Sequence, residues 1–312
     1  KLGSKIVGNG FKPFIIAEAG LNHNGNVKLA KKLIDEAKKT NCDAIKFQTY
    51  KASSRVSQKV KSVKYFEKSD GLREDIYQMF DRLSLSQKEF KQIFDYANKK
   101  KILIFSTPFS KEDVDFLESL NTPFYKLASV DCVNLDLIRK VGQTGKPLIL
   151  STGMSDISII EDAINEFKKT GNKNLIILHC LSSYPSDIKE MNLNAIKTLK
   201  NIYKIPVGLS DHSEGIEVAL ISLGIGANII ERHFTLNKNF EGPDHILSSE
   251  TKDMKTLSYF AKNLDYLKGD GQKKIQPSEY FVINSQRKCL YSGKNIPKGH
   301  ILRRNDIEIK GP

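Results

Sequence analysis

A chain of 312 residues with 39% hydrophobic content can bury a sizeable core, either as one large α/β barrel or as two medium domains. Its 49 Lys and Arg against 36 Asp and Glu give a net charge of +13, but the lysines are scattered through amphipathic stretches such as 28–39 and 88–101, and no basic run is interleaved with aromatics. This excludes a nucleic-acid reader and leaves a solvated surface able to draw in an anionic substrate.

In chain order, short apolar, β-branched runs alternate with amphipathic helical patterns. The runs fall at 14–20, 43–48, 102–108, 124–129, 147–153, 175–180, 205–211 and 229–235, and helical patterns follow most of them, as at 27–40, 85–99, 157–170, 192–203 and 215–223. Eight such repeats predict a (β/α)8 TIM barrel, with an open doubly wound sheet as the alternative. A dinucleotide-binding sheet needs a glycine-rich turn after its first strand. Gly224-Ile225-Gly226-Ala227 instead precedes a strand and lacks the third glycine, so these glycines read as packing residues. Beyond the barrel come a loop at 237–249 and a helix at 251–267, closing a catalytic unit of residues 1–268. A linker at 269–284 leads to short β-like pieces at 285–312, the start of a second small domain. Cys42, Cys132, Cys180 and Cys289 lie far apart without metal-knuckle spacing and read as reduced, buried thiols. No apolar run approaches a membrane span, and the first residues lack a signal peptide's apolar segment, which leads us to expect a cytoplasmic, non-membrane protein.

Nearly every run ends in polar or charged groups whose burial is costly unless they serve the chemistry of the protein. They are Glu18 and Asn22-His23, Lys46 and Gln48, Ser106-Thr107, Lys126 and Ser129, Ser151-Thr152, His179, Ser210 with Asp211-His212, and Glu231 with His233. A barrel gathers its strand C-termini at one mouth, so these residues are expected to converge there. Lys46 and Lys126 among hydroxyls suit a small molecule carrying both phosphate and carboxylate. A Schiff-base lysine is the rival reading, weakened because two ammonium groups together invite an anion. His212 and His233 could hold a divalent metal with open positions, with Asp211 and Glu231 as supporting partners, or could be core histidines.

The strings Ala17-Glu18-Ala19-Gly20-Leu21-Asn22-His23-Asn24-Gly25, Lys46-Phe47-Gln48, Ser106-Thr107-Pro108-Phe109, Ser151-Thr152-Gly153-Met154, Leu178-His179-Cys180 with Tyr184-Pro185, Gly208-Leu209-Ser210-Asp211-His212, Glu231-Arg232-His233-Phe234-Thr235 and Gly242-Pro243-Asp244-His245 resemble the sialic acid (N-acetylneuraminate) synthase family, which includes legionaminate and pseudaminate synthases. The likeness implies a barrel followed by a small antifreeze-like domain in a domain-swapped homodimer. It implies condensation of phosphoenolpyruvate with an N-acylated hexosamine, N-acetylmannosamine first among them, or alternatively a 6-deoxy-2,4-diacetamido hexose. A non-catalytic sugar-binding barrel is the more distant alternative.

By the same resemblance, Lys46, Thr107, Lys126, Ser129, Ser151 and Ser210 match phosphoenolpyruvate contacts. His212 and His233 match the ligands of Mn2+, or of Mg2+ or Co2+ in its place. Glu18, Gln48, Tyr184, Glu231 and Asp244 match residues near the sugar or the metal water. Glu18, Lys46, Lys126, His212, Glu231 and His233 are the expected catalytic set. The chain departs from the family pattern at three places. Cys180-Leu181-Ser182 stands for Cys-Thr-Asn, so Ser182 takes the place of a substrate-binding amide. Asp131 stands for a sugar-contacting Glu, and Lys310-Gly311-Pro312 for Lys-Arg-Pro.

Overall fold

The computed structural model describes residues 1–59 and 75–312 and divides into two compact units, Lys1–Leu267 and Lys268–Pro312. In the first, eight parallel strands close in sequence order into a barrel: β1 (Phe14–Glu18), β2 (Ala44–Thr49), β3 (Leu103–Pro108), β4 (Tyr125–Leu127), β5 (Leu148–Ser151), β6 (Leu175–Cys180), β7 (Val207–Asp211) and β8 (Ile229–His233). The ring closes where β1 pairs β8, from Phe14↔Ile229 to Glu18↔His233. The open-sheet alternative is thereby excluded.

Helices cover the outside because their apolar residues recur at helical spacing. In α1 (Val27–Lys39), Ala30, Leu33, Ile34 and Ala37 are buried, and the Asn26 side chain accepts from the Lys28 and Leu29 amides at its start. A short turn, α2 (Ala52–Arg55), and α3 (Ile76–Leu83) follow β2. Next, α4 (Gln87–Lys100) buries Phe90, Ile93, Phe94 and Ala97 behind a Ser86/Glu89 capping box. The ring continues with α5 (Lys111–Ser119), α6 (Leu135–Gln143), α7 (Ile157–Lys169), α8 (Ala195–Tyr203) and α9 (Glu217–Gly224), and α10 (Thr251–Lys268) follows β8. Outward strand residues such as Ile15, Ala17, Ile45, Phe47, Leu148 and Leu150 form one large core with these helices.

The inward positions carry a gradient that sets up the site. Successive side chains of a strand point to opposite faces, and on the inner face the early positions are apolar: Phe14, Ile16, Ala44, Phe105, Phe124, Ile149, Ile176, Leu178 and Ile229 form a separate core with Leu2. Within it the Phe105 and Phe124 rings lie 4.3 Å apart. Two residues further along the same faces stand Glu18, Lys46, Thr107, Lys126, Ser151 and Glu231. The barrel is thus oily at its base and polar at its mouth. Gly208 is required in the inner wall, since a Cβ there would lie 2.3 Å from the Ile229 carbonyl oxygen and 2.8 Å from Leu178.

In the second unit, α11 (Tyr280–Gln286) precedes β9 (Cys289–Ser292) and β10 (Ile307–Lys310), which pair antiparallel. Asp306 is its buried anchor, held by Lys294, by His300 Nε2 at 2.7 Å and by the Arg303 amide at 2.8 Å. All four cysteines are free. Cys132 and Cys180 are buried as expected, whereas Cys42 is only half-buried and Cys289, on the short two-stranded sheet, is exposed. Among the described residues no helix is long and apolar enough to cross a membrane.

Candidate active site

At the barrel mouth two lysines and two carboxylates interlock. Lys46 Nζ lies 3.4 Å from Glu18 Oε2 and 3.1 Å from Glu231 Oε2, while Lys126 Nζ lies 3.8 Å from Glu231 Oε1. Lys126 donates to Ser151 Oγ at 2.6 Å and to the Leu127 carbonyl at 2.9 Å. Ser210 Oγ donates to Glu231 Oε1 at 3.0 Å, and Gln48 Nε2 donates to Glu18 Oε1 at 2.9 Å. Every one of the four charged groups is at least 95% buried. Isolated charges could not persist there, so each depends on the others.

Their proton affinities diverge for identifiable reasons. Burial pushes Glu18 up to about 7, against the pull of Lys46. Burial would also raise Glu231, but Lys126 and Lys46 outweigh it and bring it to about 2. Burial brings Lys126 down to about 8 although Glu231 opposes it, while for Lys46 the two carboxylates prevail over burial and raise the value. One carboxyl is therefore poised to exchange a proton near neutrality, and the other is a fixed anion.

His212 and His233 occupy the next inward positions, with ring centroids 5.4 Å apart. His212 Nδ1 lies 3.0 Å from the Leu181 carbonyl, which requires a proton on that nitrogen and leaves Nε2 as the one a metal could take. Burial pulls His233 down to about 4, keeping the imidazole neutral, and its Nδ1 lies 3.5 Å from Asp244 Oδ2 without a hydrogen-bond partner among the described residues. A neutral His233 suits a divalent ion, whereas at His212 burial is outweighed by Cys180 and the Leu181 carbonyl and the proton affinity is raised, so an ion there would have to displace a proton. Among the described residues no third His, Cys, Asp or Glu completes a metal cluster, so any remaining ligands would be water or substrate oxygens. The Tyr184 ring covers the pair, 4.2 Å from His212, and Gly20 allows close approach, since a Cβ there would lie 3.0 Å from both His233 and Asp244.

A cavity of about 350 Å³ opens from this cluster and is lined by Lys46, Gln48, Thr107, Ser129, Ser182 and Tyr184 on its polar side. Thr107 Oγ1, Ser182 Oγ and Asp131 Oδ2 are buried without a hydrogen-bond partner among the described residues. Buried polar atoms of this kind are free to hydrogen-bond to a bound molecule or to water. Gly153 makes the hydroxyl cluster possible: its amide donates to Ser129 Oγ at 3.0 Å, and a Cβ would lie 2.3 Å from Ser182 Oγ. Asp131, on the turn after β4, is raised by burial to about 6, with Asn134 and Arg55 opposing.

All the site residues expected from sequence therefore gather at this mouth, but several other strand-end groups do not. Asp211 does not support the histidines: it follows Ser210 on the opposite face of β7, points outside the barrel and binds Arg232 and the Ser213 amide. Glu231 is likewise engaged with lysines and Ser210 rather than with a ring nitrogen. His179 faces outward to the Met191 carbonyl at 2.7 Å, and Asn22 clasps the Phe234 carbonyl and Ser248. His23 packs on Phe47, Thr152 bonds the Leu178 carbonyl, and Ser106 pairs with Thr49. One residue was missed. Arg55 lines the cavity, donates to Gln48 Oε1 at 2.8 Å and is enclosed by Tyr50, Phe80 and Phe109. Its cage comes from three separate elements, so only its position seven residues past Gln48 hinted at it.

A closed parallel barrel whose mouth pairs buried ammonium groups with a cluster of hydroxyls and a titratable carboxyl is that of an anion-binding enzyme. The NeuB family model matches residues 33–273. N,N'-diacetyllegionaminic acid synthase of Campylobacter jejuni is 41% identical over 303 residues, covering 96% of this chain and 91% of that protein. Pseudaminic acid synthase of Helicobacter pylori is 33% identical over 300 residues, with 96% and 88% covered. The crystal structure of N-acetylneuraminic acid (sialic acid) synthetase from Leptospira borgpetersenii serovar Hardjo-bovis, in complex with citrate, superposes with a TM-score of 0.80 at 36% identity, covering 91% of this chain and 94% of that one. The chain belongs to the NeuB family, and it is an enzyme of the phosphoenolpyruvate-dependent condensing type.

Proposed function

We propose that this enzyme condenses phosphoenolpyruvate with a 6-deoxy-2,4-diacetamido hexose to give a nine-carbon 2-keto-3-deoxy acid of the legionaminate type and phosphate, with a divalent metal at His212 and His233. The interlocked Lys46, Lys126, Glu18 and Glu231 carry the reading, because they supply an anion site beside a carboxyl that titrates near neutrality. The choice of acceptor rests on the 41% identity to the diacetyllegionaminic acid synthase, against 29% for the human N-acetylneuraminate-9-phosphate synthase. N-acetylmannosamine is the second reading, favoured by the sialic acid synthetase structure at 36% identity.

In this scheme Lys126, Ser151, Ser129, Thr107 and Ser182 bind the phosphate and carboxylate before reaction and need no reorganisation as charge shifts. A divalent ion at the two histidines would supply Lewis-acid polarisation of the sugar aldehyde. C3 of phosphoenolpyruvate forms the new bond to the aldehyde carbon, whose oxygen is left as an alkoxide. Positive charge at C2 is quenched by water, which yields one proton to ionised Glu18, and Glu18 passes it on to the alkoxide to complete the new hydroxyl. The resulting tetrahedral centre expels phosphate, which carries off the second water proton, and leaves the ketone. Glu231, held as an anion, keeps Lys46 and Lys126 protonated and oriented.

The test is phosphate release from phosphoenolpyruvate and Mn2+ with N-acetylmannosamine or the diacetamido sugar, with and without chelator. Release with the diacetamido sugar, abolished by chelator, is expected; release that survives chelator removes the metal, and release with no acceptor in the panel removes the condensation. The acidities also set the pH profile. Glu18 accepts a proton only when ionised, so kcat/KM rises through about pH 7, and Lys126 binds anions only when charged, so it falls again above about 8. Glu18→Gln is expected to lose the rising limb and keep the falling one. A rising limb that persists in this variant assigns the base elsewhere.

A further inference from the structure

Arg55 lines the same cavity as Lys46 but has no role in the scheme above. Its guanidinium carbon lies 3.8 Å from the Phe80 ring centroid, 4.1 Å from that of Phe109 and 4.6 Å from that of Tyr50, so three rings hold the group in place. Its Nη1 donates to Gln48 Oε1, whose amide in turn donates to Glu18. The amide of Gln48 is thereby committed to a relay between the arginine and the proton-exchanging carboxyl. A guanidinium carries five N–H donors in a rigid fork, of which this bond uses one. A fork fixed at the wall of a substrate cavity recognises an oxygen.

The surroundings choose which oxygen. Burial lowers the basicity of Arg55, and Tyr50, Asp244, Tyr184 and Asp131 counter that effect, so two carboxylates already act on the guanidinium. A phosphate on the sugar would meet those same carboxylates, whereas a neutral carbonyl would not. The same cavity carries the apolar residues Val56, Ile76, Phe80, Phe109, Val130 and Met154, of which Val56 follows Arg55 in the chain and Phe80 and Phe109 lie on its guanidinium. A donor among apolar side chains fits a group that is a carbonyl on one side and a methyl on the other. We infer that Arg55 is a specificity-determining residue that binds the carbonyl oxygen of the acceptor's second N-acyl group, the methyl of that group lying on those apolar side chains. This rests on the condensation reading above and adds to it the residue that separates doubly from singly acylated sugars.

The experiment compares wild type, Arg55→Leu and Arg55→Lys in phosphate release, with KM and kcat measured separately for phosphoenolpyruvate, N-acetylmannosamine, its 6-phosphate and the diacetamido sugar. Loss of a hydrogen bond to a charged donor is expected to raise the KM for the diacetamido sugar about 10–100-fold in Arg55→Leu. Disturbance of the Gln48–Glu18 link is expected to lower kcat with every acceptor alike, whereas the KM for the diacetamido sugar should rise at least about tenfold more than that for phosphoenolpyruvate or N-acetylmannosamine, a split that general loosening of the site would not produce. If the leucine variant fails to fold, as read by its thermal midpoint, Arg55→Lys carries the test, because it keeps charge and ring contacts but not the fork. An equal rise in KM for both N-acyl sugars, a rise as large for phosphoenolpyruvate, or a rise confined to the 6-phosphate overturns the inference while leaving the condensation intact. Wild type that turns over no acceptor overturns both.

Discussion

Lys126→Ala is expected to lower kcat/KM for phosphoenolpyruvate by about 10²–10³-fold, the loss seen when one preorganised donor to developing charge is removed. The reason is geometric and electrostatic together. Lys126 is 2% exposed, its ammonium is fixed by Ser151 Oγ and the Leu127 carbonyl, and it lies 3.8 Å from Glu231. Without it an anion loses a charged donor that requires no reordering. Glu231 also loses the largest of the influences that keep it ionised, which loosens its hold on Lys46. The damage therefore spreads through the network and exceeds one contact. Steady-state phosphate release with each substrate varied in turn, on protein whose circular dichroism matches wild type, checks the result. If only the KM for the sugar moves, Lys126 belongs to the acceptor and the anion subsite lies elsewhere.

Much of this site could be read from the chain because a barrel imposes a simple rule: strand C-termini meet. Eight apolar runs in sequence order place Glu18, Lys46, Lys126, Ser151, Ser210 and Glu231 at one mouth without any knowledge of loops. The alternation of faces carries further information that proximity in sequence obscures. Ser210 and His212 share one parity on β7 and Asp211 the other, and the same holds for Glu231 and His233 against Arg232. Pairing Asp211 with its neighbour His212 ignored that rule. Counting by twos would have paired Asp211 with Arg232, since the two residues are in register across β7 and β8. His179 failed for the same reason. Arg55 was beyond such counting, because Phe80 and Phe109 reach it from α3 and from the loop after β3, and no periodicity within one element encodes that meeting.

The outward clamp is expected to matter more for stability than any group inside the barrel. Arg232 is 1% exposed and makes three bonds: Nε to Ser249 Oγ at 2.8 Å, Nη2 to the Ser213 carbonyl at 2.9 Å and Nη1 to Asp211. Arg232→Met deletes all three and leaves the Asp211 carboxylate buried with only the Ser213 amide and hydroxyl. Breaking a buried pair from one side costs about 3–5 kcal/mol, because the surviving charge keeps its desolvation penalty. Denaturant unfolding measures the loss directly, and the thermal midpoint should fall on the order of 10 °C. The double variant Arg232→Met with Asp211→Leu removes the stranded charge as well and should recover at least half of the loss. A single variant within about 1 kcal/mol of wild type would show that β7 and β8 do not need the clamp. The position of the pair makes that outcome informative for catalysis too. The strands it joins on the outside present Ser210, Glu231 and both histidines on the inside. A loosened clamp should therefore lower the activity of the folded protein together with its stability, whereas a double variant that regains stability should regain activity with it.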